Sequence, residues 1–167
     1  MKISVKGENM EYKYPQRKCI RLKEYDYSLP GYYFITICTQ NRERLLSRIV
    51  GATCGRPEIE LLSAGKIVDN EMNKIEIIYD NVLIDEYIIM PNHIHMIVIL
   101  ENGRTKFAPT IIQIVKQFKG SITKQLGYSV WQKSFYEHVI RNEKSYYKIV
   151  EYIQSNPYNW ENDEYYK

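Results

Sequence analysis

Runs of β-branched and aromatic residues recur along the chain and predict its strands. Four such runs are present: 31–40, 81–90, 91–100 and 128–140. Pro91 and Asn92 open the third run and predict a short turn after the second. The fourth run alternates apolar and polar residues, which is typical of a strand with one buried face.

Apolar residues three or four positions apart predict helices between and after these runs. The predicted helices are 63–79, 108–126 and 142–156. Ser63 is a candidate N-cap, Pro109 suits a first helical turn, and Pro157 ends the last helix. Residues 1–30 and 41–62 show neither pattern and are predicted to be irregular.

The order of these elements predicts the fold class. A strand, a helix, two strands, a helix and a strand match the ferredoxin-like βαββαβ arrangement, an antiparallel sheet with helices on one face. We therefore expect an α+β fold with an additional C-terminal helix. A single domain over 31–167 would follow a basic N-terminal segment, 1–30.

Composition narrows the class of protein. A chain of 167 residues fits one domain, and no stretch approaches the roughly 20 apolar residues of a membrane helix. The charged N-terminus lacks the apolar core of a signal peptide. The scattered cysteines Cys19, Cys38 and Cys54 favour reduced thiols over a disulfide framework or a zinc site. We expect a cytoplasmic, nucleoid-associated protein that does not bind membranes.

Positive charge is concentrated in two zones although the net charge is only +3. Residues 1–31 carry seven basic and four acidic side chains, and residues 101–128 carry five and one. These zones fit an acidic partner such as DNA, and an ordinary solvated surface is the alternative. The candidate phosphate contacts are Arg17, Lys18, Arg21, Lys23, Lys116 and Lys119.

Two of the three histidines lie within the hydrophobic third run. In a strand, residues two apart share a face, so His93 and His95 lie side by side with Cα atoms about 6.5–7 Å apart. Ile94 faces the opposite, core side. Two imidazoles at this spacing can bind one metal ion, and two polar residues on an exposed sheet face are the alternative.

The last helix places two polar residues beside its apolar stripe. At about 100° per residue, Tyr146, Ile149, Val150 and Ile153 form one stripe. Tyr152 and Asn156 lie one turn apart on its flank. They can therefore face one edge of the sheet together, or pack at the core margin and cap the helix.

Three segments resemble a known family. The segment "MPNHIHMIVIL" resembles the HUH signature of single-tyrosine transposases, two histidines around a hydrophobic residue. "RLKEYDYSLPGYYFITICTQNR" and "WQKSFYEHVIRNEKSYYKIVEYIQSNPYNW" extend the likeness over most of the chain. The chain thus resembles REP-associated tyrosine transposases, relatives of the insertion-sequence 200/605 group.

The resemblance implies a mechanism and roles for particular residues. In the family a tyrosine after the fourth strand cleaves single-stranded DNA through a 5′-phosphotyrosine, and a Gln or Asn four residues later completes a metal site. The nucleophile would be Tyr152, and His93, His95 and Asn156 would bind Mn²⁺ or Mg²⁺. The basic N-terminal segment would help to grip a DNA hairpin, and both a monomer and a homodimer are open.

Other functions and other residues compete with this interpretation. A non-catalytic module could bind single-stranded nucleic acid by stacking bases on Tyr33, Phe34 and Tyr136. A metal-dependent phosphodiesterase could use water as its nucleophile. The rival nucleophiles are Tyr136, Tyr146 and Tyr147, none of which has Asn or Gln four residues later, and His138 could contact DNA or be structural.

Overall fold

The computed structural model describes residues 25–51, 57–102 and 109–166. The strands are β1 (Gly31–Cys38), β2 (Ser47–Val50), β3 (Glu58–Leu61), β4 (Val82–Ile89), β5 (His93–Leu100) and β6 (Tyr136–Ile140). The helices are α1 (Ser63–Ile78), α2 (Ile111–Leu126) and α3 (Glu143–Ser155). Strands β4, β5, β1 and β6 form, in that order, a fully antiparallel sheet. The predicted ferredoxin-like arrangement with an extra C-terminal helix is confirmed.

Strand alternation gives the sheet two apolar faces. One face, carrying Ile35, Ile94 and Met96, packs against α1 and α2. The other face carries Phe34 and Ile97, which pack against α3. β1 and β5 are buried on both sides, which explains why their sequences read as continuous hydrophobic runs.

Two predicted boundaries are wrong. The stretch 41–62 was expected to be irregular, but it contains β2 and β3, which pair with each other. Their four-residue lengths are too short for a clear alternation signal. The fourth predicted strand is limited to β6, and in 128–135 the chain makes only one isolated bridge, between Trp131 and Thr39.

The structure identifies the N-cap residue of each helix. Leu62, not Ser63, is the N-cap of α1 and makes no side-chain cap. Thr110 caps α2 in a capping box with Gln113, so Pro109 precedes the helix. Asn142 caps α3 by accepting a hydrogen bond from the amide of Ser145.

Gly65 marks where α1 meets the segment before β2. A Cβ at this position would overlap the backbone carbonyl of Leu46, so the close approach requires glycine. Among the described residues, no helix has the length and apolarity needed to cross a membrane.

Candidate active site

The two strand histidines lie together on the face of β5 that is turned toward α3. His93 and His95 are both buried, and their ring centroids are 4.5 Å apart. Ile94 points to the opposite face and joins the core under α1 and α2. The predicted shared face is therefore present, but it is covered by protein and not open to solvent.

Hydrogen bonds define the tautomer of His93. Its Nδ1 lies 2.9 Å from Asn92 Oδ1. The amide nitrogen of Asn92 donates to the carbonyls of Arg42 and Tyr165, which fixes the orientation of the amide. Because an amide oxygen only accepts, Nδ1 of His93 carries the proton and Nε2 presents a lone pair. That Nε2 is buried and has no hydrogen-bond partner among the described residues.

His95 lies between a threonine and the candidate nucleophile. Its Nδ1 is 2.9 Å from Thr36 Oγ1, and its Nε2 is 3.3 Å from Tyr152 Oη. Its ring stacks on Phe34 at 5.3 Å. When Thr36 accepts from Nδ1, the lone pair on Nε2 faces the same space as that of His93.

Burial keeps both imidazoles neutral. Desolvation lowers the pKa of His93 to about 4, although the nearby Asp163 carboxylate favours the charged form. Burial, and then the proximity of His93, lowers the pKa of His95 well below its usual value. Neutral imidazole is the form that binds metal ions, so both rings are in the ligating state at neutral pH.

Helix α3 brings Tyr152 and Asn156 to the histidines. Its stripe of Ile149, Val150 and Ile153 packs on the sheet, as the helical wheel predicted. Tyr152 is 38% exposed, whereas Asn156 is 1% exposed. The phenol therefore meets solvent on one side while the amide is enclosed.

Asn156 presents an unused oxygen to the site. Its Nδ2 donates a 2.7 Å hydrogen bond to Asp163 Oδ2. Its Oδ1 is buried without a hydrogen-bond partner among the described residues. A buried, unpaired acceptor is costly unless something else binds it.

The hydroxyl of Tyr152 is held in its protonated form. Burial raises the pKa of Tyr152 to about 12, and the negative charges of Asp163 and Glu164 act in the same direction. Asn156 opposes this shift weakly. As a nucleophile, this hydroxyl would need activation.

Asp163 is a site residue that the sequence analysis missed. One ligand atom from each of Asp163, His93 and His95 lies within 4.8 Å of the others. The segment 160–166 folds over the histidines, with the Tyr165 ring 4.6 Å from that of His93. Arg42 anchors this segment through a 2.6 Å hydrogen bond to the Glu164 carbonyl. The available signal was the acidic "ENDE" following Pro157, which the sequence analysis did not use.

The donor set fits a divalent metal ion. Two imidazole nitrogens and a carboxylate converge, from His93, His95 and Asp163, and the Asn156 side chain lies beside His93. Two atoms of these side chains, His93 Nε2 and Asn156 Oδ1, lack hydrogen-bond partners in the part of the chain described. Mixed nitrogen and oxygen ligands suit Mn²⁺ better than Mg²⁺, which prefers oxygen.

The predicted DNA contacts are placed unevenly. Arg17, Lys18, Arg21 and Lys23 lie outside the described residues. Lys116 is exposed on α2, on the sheet face opposite the histidines. Lys119 donates to the carbonyls of Gln132 and Lys133, at 2.6 and 3.3 Å, so its ammonium holds the segment before β6.

The rival tyrosines do not reach the histidines. Tyr146 donates a 2.6 Å hydrogen bond to Asp85, and Tyr147 is exposed next to it on α3. Tyr136 and His138 are exposed on β6. Tyr33 is fully buried on the opposite face, so it cannot stack on bases as the binding-module hypothesis requires.

Comparisons with known proteins show similarity to transposases. No family model matches it. It is 38% identical over 172 residues to an uncharacterised protein of Haemophilus influenzae, covering 90% of this chain and 93% of that one. It is 36% identical over 74 residues to a REP-associated tyrosine transposase of Escherichia coli, covering 44% of this chain and 43% of that one.

A solved structure carries the same fold. The structure of a REP-associated tyrosine transposase bound to a REP hairpin matches with a TM-score of 0.61 and 24% identity, covering 84% of this chain and 74% of that chain. The recognition made from the three sequence segments is confirmed. The chain is similar in sequence to part of one REP-associated tyrosine transposase and has the fold of another.

Proposed function

We propose that the protein cleaves and rejoins single-stranded DNA at hairpin-forming sequences, with Tyr152 as the nucleophile. The observation that carries this proposal is the 3.3 Å separation of Tyr152 Oη from His95 Nε2, inside a cluster whose unpaired lone pairs suit a metal ion. A structural tyrosine would not need a partly exposed hydroxyl beside two neutral, buried histidines.

The reaction would be a transesterification. Tyr152 Oη attacks the scissile phosphorus, the bond to the 3′ oxygen breaks, and a 5′-phosphotyrosine forms with a free 3′-OH. The phenolic proton passes to solvent on the exposed side of the ring, and the leaving oxygen is protonated from water. A 3′-OH can later attack the phosphotyrosine and release Tyr152, so the phosphodiester energy is conserved.

Each neighbouring residue has a part in this scheme. When bound by His93, His95 and Asn156, a divalent ion would polarise the phosphate and stabilise charge on the leaving oxygen. Asn92 holds His93 in the ligating tautomer through Nδ1, and Thr36 does the same for His95 when it accepts from Nδ1. These bonds set the site before substrate arrives, which reduces reorganisation during the reaction.

DNA binding would rely on positive charge away from the nucleophile. The REP-associated tyrosine transposase of solved structure was bound to a REP hairpin, and this supports a hairpin substrate here. Lys116 and the basic segment 1–30, with Arg17, Lys18, Arg21 and Lys23, are the proposed phosphate contacts. Such contacts predict binding that weakens steeply with salt.

The site is proposed to work within a single chain. Tyr152 reaches His95 of its own sheet, so no residue from a second copy is needed to bring the nucleophile and the imidazoles together. Mixing Tyr152→Phe with His95→Ala protein tests this arrangement. Restored cleavage in the mixture would show exchange of α3 between two copies, and no cleavage would support α3 acting on the histidines of its own chain.

The decisive experiment uses labelled DNA hairpins from the flanks of the gene, incubated with Mn²⁺ and run on a denaturing gel. We expect a DNA-linked protein band that is absent from Tyr152→Phe and His95→Ala. Tyr128→Phe, which changes an exposed tyrosine that follows α2, is the matched control and should retain the band. Cleavage without an adduct would support the water-dependent phosphodiesterase instead, and binding without cleavage would support the binding module.

A further inference from the structure

Exposed side chains of β6 lie beside the proposed site on the same face of the sheet, and together with the cavity at the start of α3 we call them the aromatic groove. β6 is an outer strand, and its residues Tyr136, His138 and Ile140 alternate onto the face that carries α3. Tyr136 is 42% exposed and His138 is exposed, so α3 does not cover this end of the strand. Neither side chain has a part in the proposed chemistry.

Tyr136 is in register with the site. Thr36 of β1 pairs with His95 on one side and with Tyr136 on the other, so the three residues form one row across the sheet. Two strand spacings, about 9.6 Å, separate the backbones of His95 and Tyr136. Phe34 lies between Tyr136 and the candidate nucleophile. Its ring is 6.4 Å from that of Tyr136 and 6.2 Å from that of Tyr152.

A cavity of about 460 Å³ lies on the same face of the sheet at the start of α3. The cavity begins at Ile140, four residues and about 13 Å along β6 from Tyr136. Its lining includes Tyr32, Tyr146, Tyr147, Arg141 and Asp85.

The cavity suits a nucleobase better than a phosphate. Tyr147 is 59% exposed and Tyr32 is 43% exposed, so both offer ring surface to a ligand. The carboxylate of Asp85, which accepts from Tyr146 through Oδ2, disfavours a phosphate but can accept from a base amino group. Arg141 at the same cavity can stack on a base or contact the backbone.

We propose that the single strand bound at Tyr152 continues along β6, with one unpaired base stacked on Tyr136 and another in the cavity between Tyr32 and Tyr147. This inference rests on the proposed function, because it takes the scissile phosphate to lie at Tyr152. The row that Tyr136 shares with His95, and the rings of Phe34 and Tyr152 beside it, favour single-stranded DNA as the occupant. Stacking on exposed aromatic rings tolerates any base, so the groove positions the strand and contributes little sequence selection.

The test uses the cleaved hairpin substrate with a single abasic nucleotide placed at each unpaired position around the cleavage point. Single-turnover cleavage is measured over a range of DNA concentrations for wild type, Tyr136→Ala, Tyr136→Phe and Tyr147→Ala. We expect the alanine variants to raise the half-saturating DNA concentration roughly 5- to 150-fold, the range for loss of one stacked base. Tyr136→Phe keeps the ring and should match wild type. Tyr128→Ala, an exposed tyrosine that follows α2 on the opposite face, is the matched control.

The abasic series separates stacking from a structural effect. In wild type, one abasic position should weaken binding as much as Tyr136→Ala does, and combining the two should cause no further loss. An abasic nucleotide at a different position should weaken binding as much as Tyr147→Ala does, again with no further loss when the two are combined. Unchanged half-saturation in both alanine variants, or losses that add at every abasic position, would overturn the inference.

Failure of the proposed function gives a different result. If wild type forms no adduct with any hairpin, the same DNA series is titrated by fluorescence anisotropy without cleavage. Position-specific loss of affinity shared by Tyr136→Ala and one abasic site would then support the groove alone. Equal affinity of all variants for all DNAs would refute it.

Discussion

Replacing Asp163 with alanine is expected to weaken Mn²⁺ binding about 10- to 100-fold, the usual effect of losing a residue that orients a metal ligand. Asp163 Oδ2 accepts the 2.7 Å hydrogen bond from Asn156 Nδ2, and this bond directs the unpaired Oδ1 of Asn156. The carboxylate also has an oxygen within 4.8 Å of ligand atoms of both histidines. The substitution therefore removes an orienting contact and a negative charge together.

Asp163→Asn separates these two contributions. An asparagine retains an oxygen that can accept from Asn156, but it carries no charge. If Asp163 acts only by orienting Asn156, the asparagine variant should bind Mn²⁺ nearly as tightly as wild type. If the carboxylate is itself a ligand, both variants should bind more weakly.

The affinity can be measured by isothermal titration of the protein with Mn²⁺ in the absence of DNA, and checked from the electron paramagnetic resonance signal of free Mn²⁺. Glu161→Ala changes an exposed acid of the same segment and is the matched control, with unchanged affinity expected. Wild-type affinity in Asp163→Ala would refute the reasoning, because Asn156 would then be oriented by some other contact.

Three further predictions concern the metal and the fold. Mn²⁺ at 100 times its Kd should stabilise wild type by about 2.7 kcal/mol, which is a rise of roughly 5–11 °C in Tm for a chain of this size. His93→Ala should lose this rise. An equal rise in both proteins by calorimetry would locate the ion elsewhere. In urea unfolding, Ile153→Ala should cost about 2–5 kcal/mol, because this side chain of α3 is 1% exposed, whereas Ile77→Ala, at an 80% exposed position, should stay within about 0.5 kcal/mol. Gly65→Ala should destabilise the fold through overlap with the neighbouring carbonyl. Gly120→Ala, where a Cβ meets open space in α2, should stabilise it by about 0.5–1 kcal/mol. A stabilising Gly65→Ala or a destabilising Gly120→Ala in chemical denaturation would contradict the packing described.

The sequence predicted the sheet and its histidine face well, because both depend on local periodicity. Alternation alone placed Ile94 in the core and the two histidines on the other side. The helical wheel likewise placed Tyr152 and Asn156 beside the buried stripe of α3. These features could be predicted because side-chain direction is set by the backbone conformation of a single strand or helix.

The missed features depend on contacts between distant segments. Asp163 reaches the histidines only because the chain after α3 turns back across the site, and no periodicity signals such a return. The hairpin of β2 and β3 was also missed, since each strand is four residues long and is stabilised by its partner. Tyr165, which helps to cover the histidines, was not predicted either, because it reaches them from a distant part of the chain.

The packing of α3 explains how one chain can complete the site. Asn142 caps the helix two residues after β6 ends, so the chain enters α3 directly from the sheet that carries the histidines. Ile153 is fully packed against that sheet, and moving α3 to a second copy would expose both Ile153 and Phe34 unless a second helix replaced it. The energy that holds the helix in place is therefore the same burial that sets Tyr152 against His95. Any substitution that loosens this apolar contact should reduce cleavage through the position of Tyr152, even where every proposed metal ligand is retained.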